Sequence, residues 1–485
     1  MFKLTRSDLF REAAYVGGQW STGNSDAYME IRNPATGEVV GRVPSLSREE
    51  VREAILLADH AFQDFRRWTG KARGAVLRKW AALMLENKDD LAQIMTAEQG
   101  KPLAEARGEI DYAASFLDWF GEEAKRVYGE TIPAPRDNQR ITVIRQPVGV
   151  CAAITPWNFP SGMVTRKVAP AIASGCTVLL KPAPQTPFSA LALCVLAEEA
   201  GLPKGVLSVL TGDAVEIGGE IIRSETVRKL SFTGSTPVGK KLMAECAGTV
   251  KKVSLELGGN APFIVFDDAD VESAVQGAIA SKFRNAGQTC VCANRFFVQH
   301  GIYDAFVNKL TEVVKGMRMG RGTEEGVTLG PLIDSNAFSK VSRLVDEARS
   351  KGATVLTGGT QHPAGAQFFA PTVVTDVTND MTIANEEIFG PVVSITRFSD
   401  EQEAVALANS TRYGLAAYFY TSDLNRSVRI SEALDFGIVG INEGAVSTEV
   451  APFGGFKESG FGKEGSKHGI DEYSERKYIC LGNVR

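Results

Sequence analysis

The chain has 485 residues, with 53 Lys and Arg against 58 Asp and Glu for a formal net charge of −5. That length exceeds one domain of about 150 residues, so it predicts two or three folding units with room for an enclosed site. Charges of both signs are mixed along the chain without a basic block, which excludes a surface built to neutralise nucleic-acid phosphates.

The opening Met1-Phe2-Lys3-Leu4-Thr5-Arg6-Ser7-Asp8 places charge where a secretory signal needs an apolar core. No later run approaches the roughly 20 apolar residues of a membrane-spanning helix. A cytoplasmic protein with no membrane partner is therefore expected. Ser47 with Glu50 three residues on forms a capping box, and Val51, Ala54, Ile55, Ala58, Phe62 and Phe65 fall on one face of the helix that follows.

Residues 128–145 are polar and proline-punctuated and then strand-like, and Tyr473 to Leu481 reads similarly. Neither has an obvious local partner, so pairing with another subunit is one expectation and a plain edge strand the other. Val148 to Ile154, Thr177 to Leu180, Val206 to Leu210 and Arg228 to Phe232 read as strands, with a helix from Ser189 to Ala200 stopped by Gly201 and Pro203. This alternation predicts a largely parallel sheet covered by helices. A second α/β region starts at the strand Ala261 to Phe266, and Asp270 caps a helix expected to run to Gly287, just before Cys290.

Gly234-Ser235-Thr236-Pro237-Val238-Gly239-Lys240-Lys241 nearly matches a phosphate-binding P-loop, but Lys241 stands where a magnesium-binding hydroxyl belongs. What remains is Gly234 and Ser235 at a helix N-terminus, where free N–H groups favour a phosphate oxygen. Without a G-x-G-x-x-G fingerprint, a dinucleotide has to bind in a variant manner. Taken alone, the segment reads as a structural loop.

The seven cysteines are an odd number with no metal-site spacing, which predicts reduced thiols and no metal. Cys151, Cys176 and Cys194 lie in apolar runs, whereas Cys290 in Gly287-Gln288-Thr289-Cys290-Val291-Cys292 has polar and glycine neighbours. Such a thiol is a candidate nucleophile, against the common alternative of a small buried hydrophobe. Attack on a carbonyl needs an oxyanion donor, and Asn158 in Pro156-Trp157-Asn158-Phe159-Pro160 follows a predicted strand. A turn-stabilising Asn is its other reading. Hydrolysis of a thioester needs a base, and Glu256, flanked by Leu255 and Leu257, has the desolvated setting that raises proton affinity. A solvent-facing strand glutamate is the alternative. None of the four histidines belongs to a cysteine-hydrolase arrangement.

Taken together, Pro156-Trp157-Asn158-Phe159-Pro160, Lys181-Pro182-Ala183-Pro184, Phe232-Thr233-Gly234-Ser235, Leu255-Glu256-Leu257-Gly258-Gly259, Gly287-Gln288-Thr289-Cys290 and Glu386-Glu387-Ile388-Phe389-Gly390-Pro391 resemble the aldehyde dehydrogenase superfamily. The resemblance covers nearly the whole chain. Within that superfamily Thr165-Arg166-Lys167, Phe283-Arg284-Asn285, Cys290-Val291-Cys292 and Gly465 to Tyr473 look most like the succinate or glutarate semialdehyde branch.

The resemblance implies an α/β fold with a Rossmann-type cofactor domain (residues 1–127 and 146–257), an α/β catalytic domain (258–469) and a small β arm (128–145 and 470–485) that builds a homo-oligomer. Cys290 is implied as nucleophile, Asn158 and the Cys290 N–H as oxyanion donors, and Glu256 as the base. Lys181 and the Glu387 to Phe389 segment are implied at the ribose regions of a nicotinamide cofactor and Ser235 at its pyrophosphate, with Thr155, Pro156, Trp157 and Gly234 beside them. Pro184 stands where NAD-preferring relatives carry a ribose-binding glutamate, so NADP is expected to be accepted and preferred over NAD. Arg166, Arg284 and Ser447 are implied at a substrate carboxylate, which predicts oxidation of an aldehyde acid of four or five carbons, succinate semialdehyde first. Cys292 is a candidate redox partner for Cys290. The competing readings are a glutarate-semialdehyde or broader aldehyde dehydrogenase, a thiol esterase, and a catalytically silent binding protein on the same fold.

Overall fold

The computed structural model describes residues 3–484. Of the N-terminal octapeptide Met1 and Phe2 lie outside the described residues, as does Arg485 at the end of the expected arm. An eight-stranded sheet carries five parallel strands in the spatial order Leu207–Val209, Thr177–Lys181, Val150–Ile154, Val227–Thr233, Lys252–Glu256. Gln19–Ser21 and Ala14–Val16 extend one edge, and Gly460–Phe461 pairs antiparallel with Lys252–Glu256 at the other. The central strands are almost entirely buried, as helix-covered parallel sheets require.

Chain order steps outward from Val150–Ile154 in one direction through Thr177–Lys181 and Leu207–Val209, then resumes on its other side at Val227–Thr233. That reversal leaves a crevice at the carboxyl ends of Val150–Ile154 and Val227–Thr233, the place where open α/β sheets bind ligands.

The second sheet has seven strands, ordered Thr354–Thr357, Thr372–Thr375, Val392–Phe398, Ala293–Gln299, Ala261–Val265, Ala416–Tyr420, Ile438–Ile441, and only Thr354–Thr357 runs antiparallel. Phe263 registers with Phe296 on one side and Tyr418 on the other, with its ring 4.9 Å from that of Phe296 and 5.1 Å from that of Tyr420. This cross-strand aromatic ladder fixes the register of the sheet beside the predicted nucleophile.

The predicted N-terminal helix runs Arg48–Phe65 with its capping box formed, and all six of the predicted apolar positions are buried. The helix ending at Gly201 begins at Pro187, two residues earlier than predicted. One expectation is corrected. The helix capped by Asp270 spans Val271–Lys282 and stops short of Gly287. Asn285 and Ala286 adopt left-handed φ of 52° and 53°, so the chain turns sharply before the thiol. The two segments without obvious partners pair with each other: Ser474–Leu481 lies antiparallel to Arg140–Pro147, which also pairs with Glu130–Ile132. No helix among the described residues is long and apolar enough to cross a membrane.

Candidate active site

The strand Val150–Ile154 delivers Thr155 to Asn158 into the crevice, and Val227–Thr233 delivers Gly234 and Ser235 beside them. Thr155 N–H donates to Lys181 O at 3.1 Å, which ties this loop to the neighbouring strand end. Ser235 is the N-cap of the helix Thr236–Cys246, and its side chain makes no capping hydrogen bond, so first-turn N–H groups stay free for an anion.

The Cys290 turn is braced from several sides. Gln288 Nε2 donates to Asn285 O at 3.0 Å and to Pro331 O at 3.2 Å, while Gln288 Oε1 accepts from Ile333 N–H at 2.9 Å. Tyr418 Oη donates to Val291 O at 2.7 Å. Gly259 packs so close that a Cβ there would stand 2.3 Å from Cys290 O, which forbids any side chain at that position. Cys292 N–H donates to Thr289 O at 3.0 Å, whereas the Cys290 N–H has no acceptor among the described residues.

A cavity of about 270 Å³ gathers Cys290, Asn158, Arg166, Arg284 and Ser447 on its wall with Pro156, Trp157, Gly234, Ser235, Glu387 and Phe389. A second cavity of about 360 Å³ adjoins it and shares Arg284, Thr289, Val291 and Ser447. Most predicted site residues thus converge from segments up to 291 residues apart (156 to 447). Glu256, Thr155, Lys181 and Cys292 are buried without lining that first cavity, and Pro184 is exposed on the loop after Thr177–Lys181. Cys292 Sγ donates to Lys282 O at 3.6 Å.

Burial pushes the Cys290 thiol up to about 12; Glu387 adds to this and Arg166 opposes it. The polar sequence context marked a candidate nucleophile, and the folded site leaves that thiol half-buried and favours its protonated form. Burial also lifts Glu256 well above the usual carboxylate range, with Glu464 adding and Arg166 and Lys167 opposing. Glu387, desolvated and accepting from Gly259 N–H at 3.1 Å, rises to about 7. Lys181 Nζ donates to Pro182 O at 2.8 Å, and desolvation lowers its amine to about 8.

Several polar atoms here are buried with no hydrogen-bond partner in the protein, among them Asn158 Oδ1, Glu256 Oε2 and Arg166 Nη2. Buried orphans of this kind mark places where a ligand or water completes the pairing. Asn158 Nδ2 donates to Gln288 O at 2.9 Å, which leaves the second amide hydrogen free. Arg166 sits 2.7 Å from Glu464 Oε2 and 4.0 Å from the Phe453 ring centroid, while Arg284 stands 4.8 Å from that of Phe159 with no ion pair or hydrogen bond among the described residues.

Glu464 escaped sequence reasoning. It pairs with both Arg166 and Lys167, and its carboxylate, though desolvated, is held below its usual range by those two cations. Nothing local in Lys463-Glu464-Gly465 signals a partner almost 300 residues earlier (464 against 167). Tyr112, 3.4 Å from Arg166 Nη1, was missed for the same reason. No group of three or more His, Cys, Asp or Glu that could hold a metal ion occurs among the described residues.

Residues 20–479 match the aldehyde dehydrogenase family. A glutarate-semialdehyde dehydrogenase of Pseudomonas aeruginosa is 58% identical over 482 residues, covering 99% of this chain and 100% of that one. An NADP(+) succinate-semialdehyde dehydrogenase of Escherichia coli is 56% identical over 480 residues, covering 99% and 100%. The crystal structure of an aldehyde dehydrogenase from Brucella melitensis biovar abortus superposes with a TM-score of 0.99 at 57% identity and covers 100% of both chains. By that family match and by these near full-length relatives, this chain belongs to the aldehyde dehydrogenase family.

Proposed function

We propose that this chain oxidises a short aldehyde carrying a carboxylate, succinate semialdehyde first, to the dicarboxylic acid with NADP or NAD. The observation that carries the reading is the pair Arg166 and Arg284 on the same cavity wall as Cys290, each with guanidinium donors unused by the protein. Two cations in a partly desolvated pocket favour an anionic tail, with Ser447 beside them as a further donor. The 58% and 56% relatives named for glutarate and succinate semialdehyde support the class and frame the choice between five and four carbons.

In this reading Cys290 Sγ adds to the aldehyde carbon and its proton leaves to a base, since a thiol at about 12 does not ionise unaided at neutral pH. The oxygen gains negative charge and is held by the free hydrogen of Asn158 Nδ2 and by the unpaired Cys290 N–H. A nicotinamide dinucleotide, when bound, supplies the acceptor for the hydride that leaves that carbon. Glu256 then takes a proton from the water that hydrolyses the Cys290 thioester, and its raised proton affinity is the direction a base working near neutrality needs.

The crevice suits that cofactor. Ser235 and the open helix N-terminus would meet the pyrophosphate, Lys181 with Pro184 the adenosine ribose, and Glu387 with Phe389 the nicotinamide ribose. Trp157 and Phe389 meet edge to face at 5.6 Å beside Pro156 and Gly234. Pro184 in place of a carboxylate offers no charge of its own to repel a 2′-phosphate, which supports NADP as the preferred form.

The same proposal makes the three-stranded arm an oligomer contact, since its outer strand Ser474–Leu481 has one unpaired edge and carries exposed Tyr478 and Leu481. It also includes Cys292 as redox partner of Cys290, for which the 289–292 turn has to rearrange. Loss of activity in mild peroxide that no reductant restores in either the natural chain or Cys292→Ala would argue against that bridge. The deciding experiment is a kinetic panel of four-carbon and five-carbon semialdehydes and matched neutral aldehydes, each with NADP and NAD; equal kcat/KM for charged and neutral aldehydes overturns the substrate reading.

A further inference from the structure

The helix Lys88–Gln99 ends at Gly100, whose φ of 92° turns the chain into Lys101, Pro102 and the helix Leu103–Glu123. Gln99, Lys101, Glu105 and Glu109 thereby lie along one short stretch, and all four reach toward the site without lining the Cys290 cavity. Lys101 and Glu109 form a buried ion pair, each side chain 1% exposed.

Each end of this pair holds a part of the Asn158 loop. Lys101 Nζ donates to the backbone carbonyl of Asn158 at 2.7 Å and stands 4.1 Å from the Phe159 ring centroid. Glu109 Oε1 accepts from Ser161 N–H at 2.9 Å and Gly162 N–H at 3.1 Å. The Ser161 side chain makes no capping bond to the helix Gly162–Ser174, so the Glu109 carboxylate serves as its cap, and that helix carries Arg166.

The same stretch grips the nucleophile's turn. Glu105 accepts from Asn285 N–H at 2.8 Å, and Gln99 Nε2 donates to Asn285 Oδ1 at 3.0 Å. Asn285 Nδ2 in turn donates to Asn158 O at 2.9 Å, the carbonyl that Lys101 also holds. Oxyanion donor and thiol are thus cross-linked through one residue pair, Asn285 and Lys101, on a single acceptor atom.

We propose that the buried Lys101–Glu109 pair is a positioning device that holds the Asn158 amide in register with Cys290. A buried ion pair is a poor device for stability alone, because desolvation offsets much of its attraction. Its directional value is high, since a catalytic donor displaced by about 1 Å can lose on the order of a hundredfold in rate. Neither residue touches substrate or cofactor space, so the effect passes through Asn158.

The inference rests on the reading of Asn158 as oxyanion donor, and a double-mutant cycle separates the two. Lys101→Met, Asn158→Ala and the double variant are compared by kcat and KM of the full chain with semialdehyde and NADP, with thermal unfolding as the control for folding. Lys101→Met is expected to lower kcat roughly 10- to 100-fold with KM within about threefold. In the Asn158→Ala background the same change is expected to cost less than about twofold.

An equal loss in both backgrounds, or no loss from Lys101→Met, overturns the inference and leaves Asn158 as donor. Full activity in Asn158→Ala overturns the oxyanion reading and the inference with it. Should Lys101→Met fail to fold, Glu109→Gln runs the same cycle, because it keeps an oxygen for Ser161 and Gly162 and removes the carboxylate that pairs with Lys101.

Discussion

Replacing Arg284 with leucine removes a guanidinium that forms no ion pair among the described residues, and Glu105, which it favours at longer range, keeps the larger influence of Lys101. Arg166 is the poorer choice for this purpose, because its removal leaves the buried Glu464 with Lys167 as its one ion-pair partner among the described residues and disturbs every substrate alike. Two terms set the expected size of the effect. A charge-assisted contact to a substrate carboxylate contributes about 1.5 to 3 kcal/mol, equivalent to roughly 10- to 150-fold in kcat/KM. The cation–π contact with Phe159 contributes about 0.5 to 1 kcal/mol of local order and is lost for every substrate. The ratio of kcat/KM for succinate semialdehyde to that for butanal cancels the second term and isolates the first. Arg284→Leu is expected to lower that ratio by roughly 10- to 150-fold when reduced NADP is followed by absorbance. An unchanged ratio, with both aldehydes losing equally, would show that Arg284 shapes the cavity without reading the tail.

Alkylation of the free protein by iodoacetamide should report a thiol at about 12. The rate at Cys290 is expected to climb about tenfold per unit from pH 7 to pH 10, and levelling near pH 8.5, as an ordinary thiol shows, would contradict the protonated resting state. Asn158→Ala is expected to lower kcat on the order of a hundredfold while leaving that alkylation profile in place; loss of both together points to a collapsed turn. Pro184→Glu should move the ratio of kcat/KM toward NAD, and an unaltered ratio means that another residue chooses the cofactor. Tyr478→Lys with Leu481→Lys on the outer arm strand should reduce the sedimentation mass of the assembled protein if that strand is its contact, and an unchanged mass places the contact elsewhere.

Short-range chemistry made parts of this molecule readable in advance. The capping box at Ser47, the β-branched runs and the glycine stop at Gly201 are local signals, and the elements they mark form within a few residues of their predicted bounds. The turn before Cys290 was less legible, because the left-handed backbone of Asn285 and Ala286 is braced at Asn285 by Gln99 and Glu105 from two other helices. The Arg166–Glu464 and Lys101–Asn158 contacts were not legible, since each joins segments whose neighbourhood exists only after folding. The raised proton affinity of Cys290 belongs to the same class: polar neighbours in sequence say nothing of the cavity wall and the Glu387 carboxylate that the fold brings to a half-buried thiol.

The short strand Gly460–Phe461 and the carboxylate of Glu464 lie within the last 26 residues of the sequence (460 to 485), yet they complete the edge of the first sheet and neutralise Arg166 and Lys167. The first sheet and the charge balance beside Glu256 are therefore not self-contained in the residues up to Glu256, because both are completed by residues 460–464. A chain cut after residue 450 keeps its nucleophile, amide and base yet lacks that strand and that carboxylate, so it is expected to lose turnover although none of the three side chains is removed.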